Sequence, residues 1–196
     1  MSGNNRASKA ITWRKAFVYL SSIALIACAD PKELTFWVGV SLVILAWLLR
    51  LWAFGYLDKN ALMVTTGPYA YTRNPAYLGS FIALLGISLA AGNWDTERGR
   101  TVWVFALLLC FVFFLIYLPR KMKREYPRLR ALFGVELDRH AENVPNFFPR
   151  LTPWKSGQSR KYSFSLLLEN HEVSWGVAFA FALVAIKFVH KWSPFV

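Results

Sequence analysis

The chain has 196 residues, 56% of them hydrophobic and 17% aromatic, with a formal net charge of +12 and a mean hydropathy of +0.33. That length sets a prior of one domain, and so apolar a composition excludes a small soluble domain, which must cover its core with polar surface. A nucleic-acid binder would spread its cations along one face; here Lys and Arg gather between apolar blocks, which points to a membrane and to no nucleic-acid partner.

Five apolar blocks follow in chain order: Ala16–Ala29, Leu34–Leu57, Ala76–Trp94, Val102–Leu118 and Val173–Val189. A spanning helix needs about 20 apolar residues. The second, third and fourth blocks meet this, and the fifth ends in Lys187, His190, Lys191 and Trp192, a basic and aromatic anchor suited to an interface. The first is the shortest. Its basic start at Arg14 and Lys15, the Ala27-Cys28-Ala29 run and the cysteine itself also fit a secretory or lipoprotein signal; we expect an uncleaved helix. The expected fold class is all-α, a polytopic membrane bundle of about five transmembrane helices. It forms a single membrane domain over residues 1–196, with a core at 51–151, a basic linker at 152–172 and a C-terminal transmembrane helix at 173–190.

With the N-terminus cytoplasmic, 18 Lys and Arg fall inside and 5 outside, a strong positive-inside bias. The loop around residues 58–75 and the segment 119–172 then share the cytoplasmic side. Cys28 and Cys110 both sit in apolar blocks without metal-ligand spacing, so they read as packing residues and no metal is expected.

The densest set of chemistry-bearing residues is GPYAYTRNPAYLG, Gly67 to Gly79, at the mouth of the third block. Gly67-Pro68 and Asn74-Pro75 are turn signals. Pro75 suits the first turn of a helix, and Asn74 before it reads as an N-cap beside N–H groups that favour an anion. Tyr69, Tyr71 and Tyr77 offer ring faces to a cation. An aromatic belt with an ordinary arginine anchor explains the same residues equally well.

The second dense region runs from Arg120 to Leu151 and is too polar to enter a bilayer. Leu129, Leu132 and Phe133 keep helical spacing that Gly134 can end. Glu125 stands among Lys121, Lys123, Arg124 and Arg128, cations that favour its charged form. Some of these basic residues read as a solvated face drawn to anionic lipid.

Together the two regions resemble the membrane-embedded methyltransferases of the isoprenylcysteine carboxyl methyltransferase and phospholipid methyltransferase group. The first motif is carried by Gly67, Tyr69, Arg73, Asn74, Pro75, Tyr77 and Gly79. The second is carried by Glu125, Leu129, Phe133, Gly134, Val144, Pro145 and Pro149. The resemblance covers about Leu51 to Leu151. It implies S-adenosylmethionine as cofactor, contacted by Ala61, Leu62, Met63, Val64, Tyr69, Arg73, Asn74, Pro75, Ala76, Tyr77 and Glu125. It also implies Lys121 and Glu125 as the catalytic residues, with Lys121 facing the substrate; Arg124 offers a second cation to orient a carboxylate acceptor.

The chain departs from the group's pattern at Tyr126, where a second glutamate is usual, and at Lys121, Asn74, Leu137 and His140. Lysine at 121 lacks the planar fork with which arginine grips a carboxylate. These changes bear on the acceptor more than on the cofactor. A methyl displacement from a sulfonium chiefly requires positioning, so the expected reaction is methylation of a lipophilic acceptor, a prenylcysteine-like carboxylate or a lipid headgroup, entering from the membrane lipids. Two rivals stand beside it: an NADPH-dependent reductase of the sterol reductase type, and a non-catalytic scaffold for which Tyr126 is the best support. His140 reads as either a surface residue or a proton acceptor. The stretch after Leu151 is a polar, basic linker without periodicity.

Overall fold

The computed structural model describes residues 20–59, 61–158 and 160–192. A short helix occupies 20–27 (α1), so residues 16–19 of the first predicted block lie outside the described residues. There follow α2 (Glu33–Phe54), a 3₁₀ turn (Gly67–Ala70), α3 (Pro75–Ala91) and α4 (Glu97–Val112). A π-helical stretch (Phe113–Tyr117) leads without a break into α5 (Leu118–Phe133), and α6 (Val135–Asn143), α7 (Phe164–Glu169) and α8 (Glu172–Trp192) complete the chain. Three helical runs are long and apolar enough to cross a membrane, Glu33–Phe54, Glu97–Phe133 and Glu172–Val189, while Pro75–Ala91 is shorter. The protein is a polytopic helical bundle.

The packing is the reverse of a soluble core. Small residues face inward: Ala46, Ala53, Ala83, Ala90 and Ala91 are buried, whereas Trp37, Leu45, Leu107, Phe111, Val177 and Phe181 are exposed. Lipid is as apolar as leucine, so large side chains gain nothing by turning inward, and small ones let backbones approach. Gly39 and Gly86 mark that approach. A methyl group at Gly39 would stand 2.5 Å from the Gly86 carbonyl oxygen, and one at Gly86 2.8 Å from that of Gly39. The antiparallel α2 and α3 therefore touch main chain to main chain.

Polar side chains mark the two ends. At one end Lys32 pairs with Asp95 at 2.5 Å and Lys187 with Glu33. At the other, Arg160 reaches Asp58 at 3.1 Å, the Ser163 amide bonds the Gly55 carbonyl at 2.8 Å, and Arg50 meets Glu172. This second end carries both sequence motifs. α5 ends at Phe133, as its spacing predicts, and Gly134 turns the chain at φ +51°.

The stretch after Leu151, a polar and basic linker in sequence, packs against the core. It is bonded to the motif loop: the Trp154 amide donates to Ala70 O at 2.9 Å, and Ser156 and Thr65 share a hydroxyl bond at 2.7 Å. Gln158 accepts from the Thr65 amide at 2.9 Å and donates to Met63 O at 2.6 Å. No side-chain periodicity announces such packing, because backbone and small polar groups make it.

Candidate functional site at the motif-bearing end

Pro75 opens α3 as a first-turn proline should, and Asn74 precedes it. The expected side-chain cap from Asn74 is absent. Its amide instead donates to the main-chain and side-chain oxygens of Asn146, each at 2.8 Å. The reason is competition: the segment 143–150 runs beside the loop and offers acceptors. Its main chain accepts from Arg73 N at 3.0 Å (Pro145 O) and from Thr72 Oγ1 at 2.9 Å (Phe147 O), and the Arg150 amide donates to Tyr71 O at 2.9 Å. The two motifs, far apart in sequence, are laced together by these bonds.

In the first turn of α3, Tyr77 donates its hydroxyl to Glu125 at 3.2 Å. Lys121 Nζ lies 2.6 Å from the other oxygen of Glu125 and 5.7 Å from the Tyr77 ring centroid. Tyr117 stands edge-on to Tyr77 at 6.3 Å. Lys121 and Glu125 thus face Tyr77 from the stretch just beyond the π-helical turn, a feature that often marks functional positions. Beside them is a wall of aromatic rings: Phe81 contacts Phe113, Phe114 and Phe147 at 4.7–5.9 Å, and Phe114 stacks on the exposed Phe148.

Of the residues expected at the cofactor, Met63, Val64 and Tyr69 are buried, with Val64 and Tyr69 packed on Ala53 and Ala76 beside them. Ala61 and Leu62 are exposed. Burial pushes the Tyr69 phenol well above its ordinary pKa, which keeps it protonated. Arg73 is partly buried, and burial lowers its pKa; its Nε is shielded from solvent and has no hydrogen-bond partner. Arg124 is exposed and pairs with no carboxylate among the described residues. The site therefore brings together Tyr77, Lys121 and Glu125, with Arg73 and Asn74 on the adjoining loop, and leaves Arg124 outside.

Tyr126, in place of the second glutamate, donates to Asp138 at 2.9 Å, and Arg130 also holds Asp138. These contacts brace α5 against α6. His140 is no surface residue: it is 1% exposed, with Nε2 donating to the Tyr69 carbonyl at 2.8 Å and its ring stacked on Trp154. A carbonyl only accepts, so the ring proton sits on Nε2 and Nδ1 presents a lone pair, buried and without a partner. Burial holds the His140 pKa below the usual imidazole value; the bond to Tyr69 opposes this and the Arg73 charge adds to it.

Sequence reasoning missed Asn146, Trp154 and Gln158, which carry no motif; of its two readings of His140, burial removes the surface one. It counted Arg50 only among the inside cations, although a charge inside an apolar block is itself a signal. Arg50 and Glu172 are 6% and 2% exposed. An open cleft of about 440 Å³ lies behind the loop, lined in part by Trp52, Tyr71 and Trp154. None of Tyr77, Lys121 or Glu125 reaches it.

The phospholipid methyltransferase family matches residues 34–135. The nickel-cobalt-cadmium resistance protein NccN of Alcaligenes xylosoxydans xylosoxydans is 28% identical over 80% of this chain and 71% of its own length. The cobalt-zinc-cadmium resistance protein CzcN of Cupriavidus metallidurans is 34% identical over 64% of this chain and 53% of its own. A protein-S-isoprenylcysteine O-methyltransferase of Schizosaccharomyces pombe is 33% identical over 47% of this chain and 35% of its own. No solved structure matches the chain. The matched residues run from α2 through α5 and include the Tyr77, Lys121 and Glu125 cluster, so the chain belongs to the phospholipid methyltransferase family, within the group of integral membrane methyltransferases that also holds the isoprenylcysteine enzymes.

Proposed function

We propose that this protein transfers a methyl group from S-adenosylmethionine to a lipophilic acceptor, a carboxylate or a lipid headgroup, at the cytoplasmic membrane face. The observation that carries this reading is the meeting of Tyr77, Lys121 and Glu125 where α3 and α5 leave the apolar bundle. The donor set fits the cofactor. Arg73 offers a buried N–H that lacks an acceptor, suited to a carboxylate. Glu125 and the Tyr77 ring suit cationic groups.

When bound, S-adenosylmethionine supplies a methyl on a sulfonium for in-line transfer to a nucleophile. The chain's own part is positioning. Met63, Val64 and Tyr69 form a dry floor, held by Gln158 through Met63 O and the Thr65 amide. Asn146 fixes Asn74 at the entrance to α3. Lys121 covers Glu125 in the free chain; a ligand cation on Glu125 would displace it and leave an ammonium to orient an ionised acceptor. The aromatic wall of Phe81, Phe113, Phe114 and Phe147 suits an acyl or prenyl chain arriving sideways from lipid.

The test is transfer of radiolabelled methyl into a membrane extract of the source organism, followed by base. Volatile methanol identifies an ester, and a base-stable lipid label identifies N-methylation. NADPH binding without S-adenosylmethionine binding, or label only in water-soluble acceptors, overturns the reading. The names of two relatives favour a setting in divalent-metal resistance; deletion of the gene would then lower growth in cobalt or cadmium, and unchanged growth removes that setting.

A further inference from the structure

The C-terminal helix α8 lies beyond the residues that the family matches. Yet its first residue, Glu172, closes a charged network inside the bundle. Arg50 of α2 donates Nε to Glu172 Oε2 at 3.0 Å and Nη2 to Oε1 at 2.7 Å. The third nitrogen, Nη1, crosses to α3, where it donates to Ser80 Oγ at 2.6 Å and to Ala76 O at 3.2 Å. Ser80 Oγ in turn donates to Ala76 O at 3.0 Å. The guanidinium carbon stands 5.4 Å from the Phe54 ring and 5.1 Å from the Trp175 ring, so aromatic faces complete the enclosure. The stem passes α3 only because residue 79 is glycine: a methyl group there would stand 2.6 Å from Arg50 Cγ.

A buried guanidinium must satisfy its third nitrogen whatever its role, and buried ion pairs contribute little net stability in any case. What the third contact grips is specific. Ala76 O belongs to the peptide that precedes Tyr77, in the same first turn as Asn74 and Pro75. We infer that Arg50 and Glu172 are a positioning pair: Glu172 orients the guanidinium, whose free edge sets the first turn of α3 and so the angle at which Tyr77 meets Glu125. The C-terminal helix is by this account part of the methyl-transfer unit. The role rests on the reading of that turn as the cofactor site, but the geometry it asserts can be measured without any ligand.

The experiment compares three variants of the full chain in detergent. Arg50→Lys keeps the charge opposite Glu172 and loses the fork. The double variant R50M/E172L removes both charges, leaving none buried alone. Ser80→Ala removes one Nη1 contact and leaves the pair intact. In R50M/E172L the thermal midpoint should stay near wild type while amide exchange rises in residues 74–80 and not elsewhere. Affinity for S-adenosylmethionine should fall by about tenfold, the loss of one charge-assisted bond's worth of positioning. R50K and S80A should show the same local exchange at smaller amplitude. If wild type binds no S-adenosylmethionine, the proposed reaction fails and the exchange measurement still decides the pair's role. Unchanged exchange at 74–80 in folded R50M/E172L, or in S80A should the double variant not fold, overturns the inference.

Discussion

Asn74 spends its side-chain amide on Asn146, 72 residues away, donating at 2.8 Å to both the main-chain and the side-chain oxygen. A residue that reads as a helix cap is in fact the clasp between the two motifs. Replacing Asn74 with Leu should cost about 1–3 kcal/mol, because the Asn146 acceptors lose their donor in a partly buried place. Serine, a good cap but too short to reach, should not rescue it. Thermal melts in detergent check this, and full rescue by Asn74→Ser would show that capping matters after all.

Glu125 and Lys121 make opposite predictions. Their side chains are 33% and 27% exposed, so the pair itself contributes no more than about 1 kcal/mol to stability. Glu125→Gln should leave the melting point nearly unchanged and weaken S-adenosylmethionine binding by about 10–100-fold, the loss of a charge-assisted contact. Lys121→Gln removes a competitor for the same carboxylate. Cofactor affinity should then hold or rise while KM for the acceptor worsens. Calorimetry and initial rates separate the two; a loss of cofactor affinity in K121Q would place that ammonium against the cofactor instead.

His140 adds a pH dependence. Its pKa in the fold lies below the usual imidazole value, chiefly from burial. Above about pH 6.5 the ring is neutral in both states and stability is complete. As pH falls through that value the unfolded chain takes up the proton first, so stability declines until the lowered folded pKa is reached. His140→Phe keeps a ring on Trp154 and should flatten this decline, at the cost of the bond to Tyr69. Melting points between pH 8 and about pH 5 provide the check; an equal slope in the variant would assign the decline elsewhere.

Much of the bundle was legible in apolar runs. Leu34–Leu57, Ala76–Trp94 and Val173–Val189 lie close to α2, α3 and α8, and Gly134 ends its helix where spacing says it should. Tyr77 and Glu125 were each legible as motif positions; that they bond each other was not. Other parts were not, for a common reason. The contacts of Asn146, Trp154 and Gln158 join residues 72 to 95 positions apart through main-chain atoms, and main-chain bonding has no periodicity to detect. His140 sits in a polar run that gives no sign of burial. Arg50 was visible as a charge in an oily helix, but its partner lies 122 residues on.

The unbroken run from Glu97 to Phe133 holds 37 residues. At 1.5 Å per residue it is about 55 Å long, against a hydrocarbon layer of about 30 Å. A rod so much longer than its slab acts as a depth gauge. With Glu97, Arg98 and Arg100 kept in water at one end, the far boundary falls close to Lys121, and Glu125 stands one turn beyond. Thicker lipid would draw that ammonium and carboxylate toward oil or force the rod to tilt, and thinner lipid would lift them away from a lipid-borne acceptor. Acyl-chain length should therefore tune turnover of the proposed reaction through an optimum.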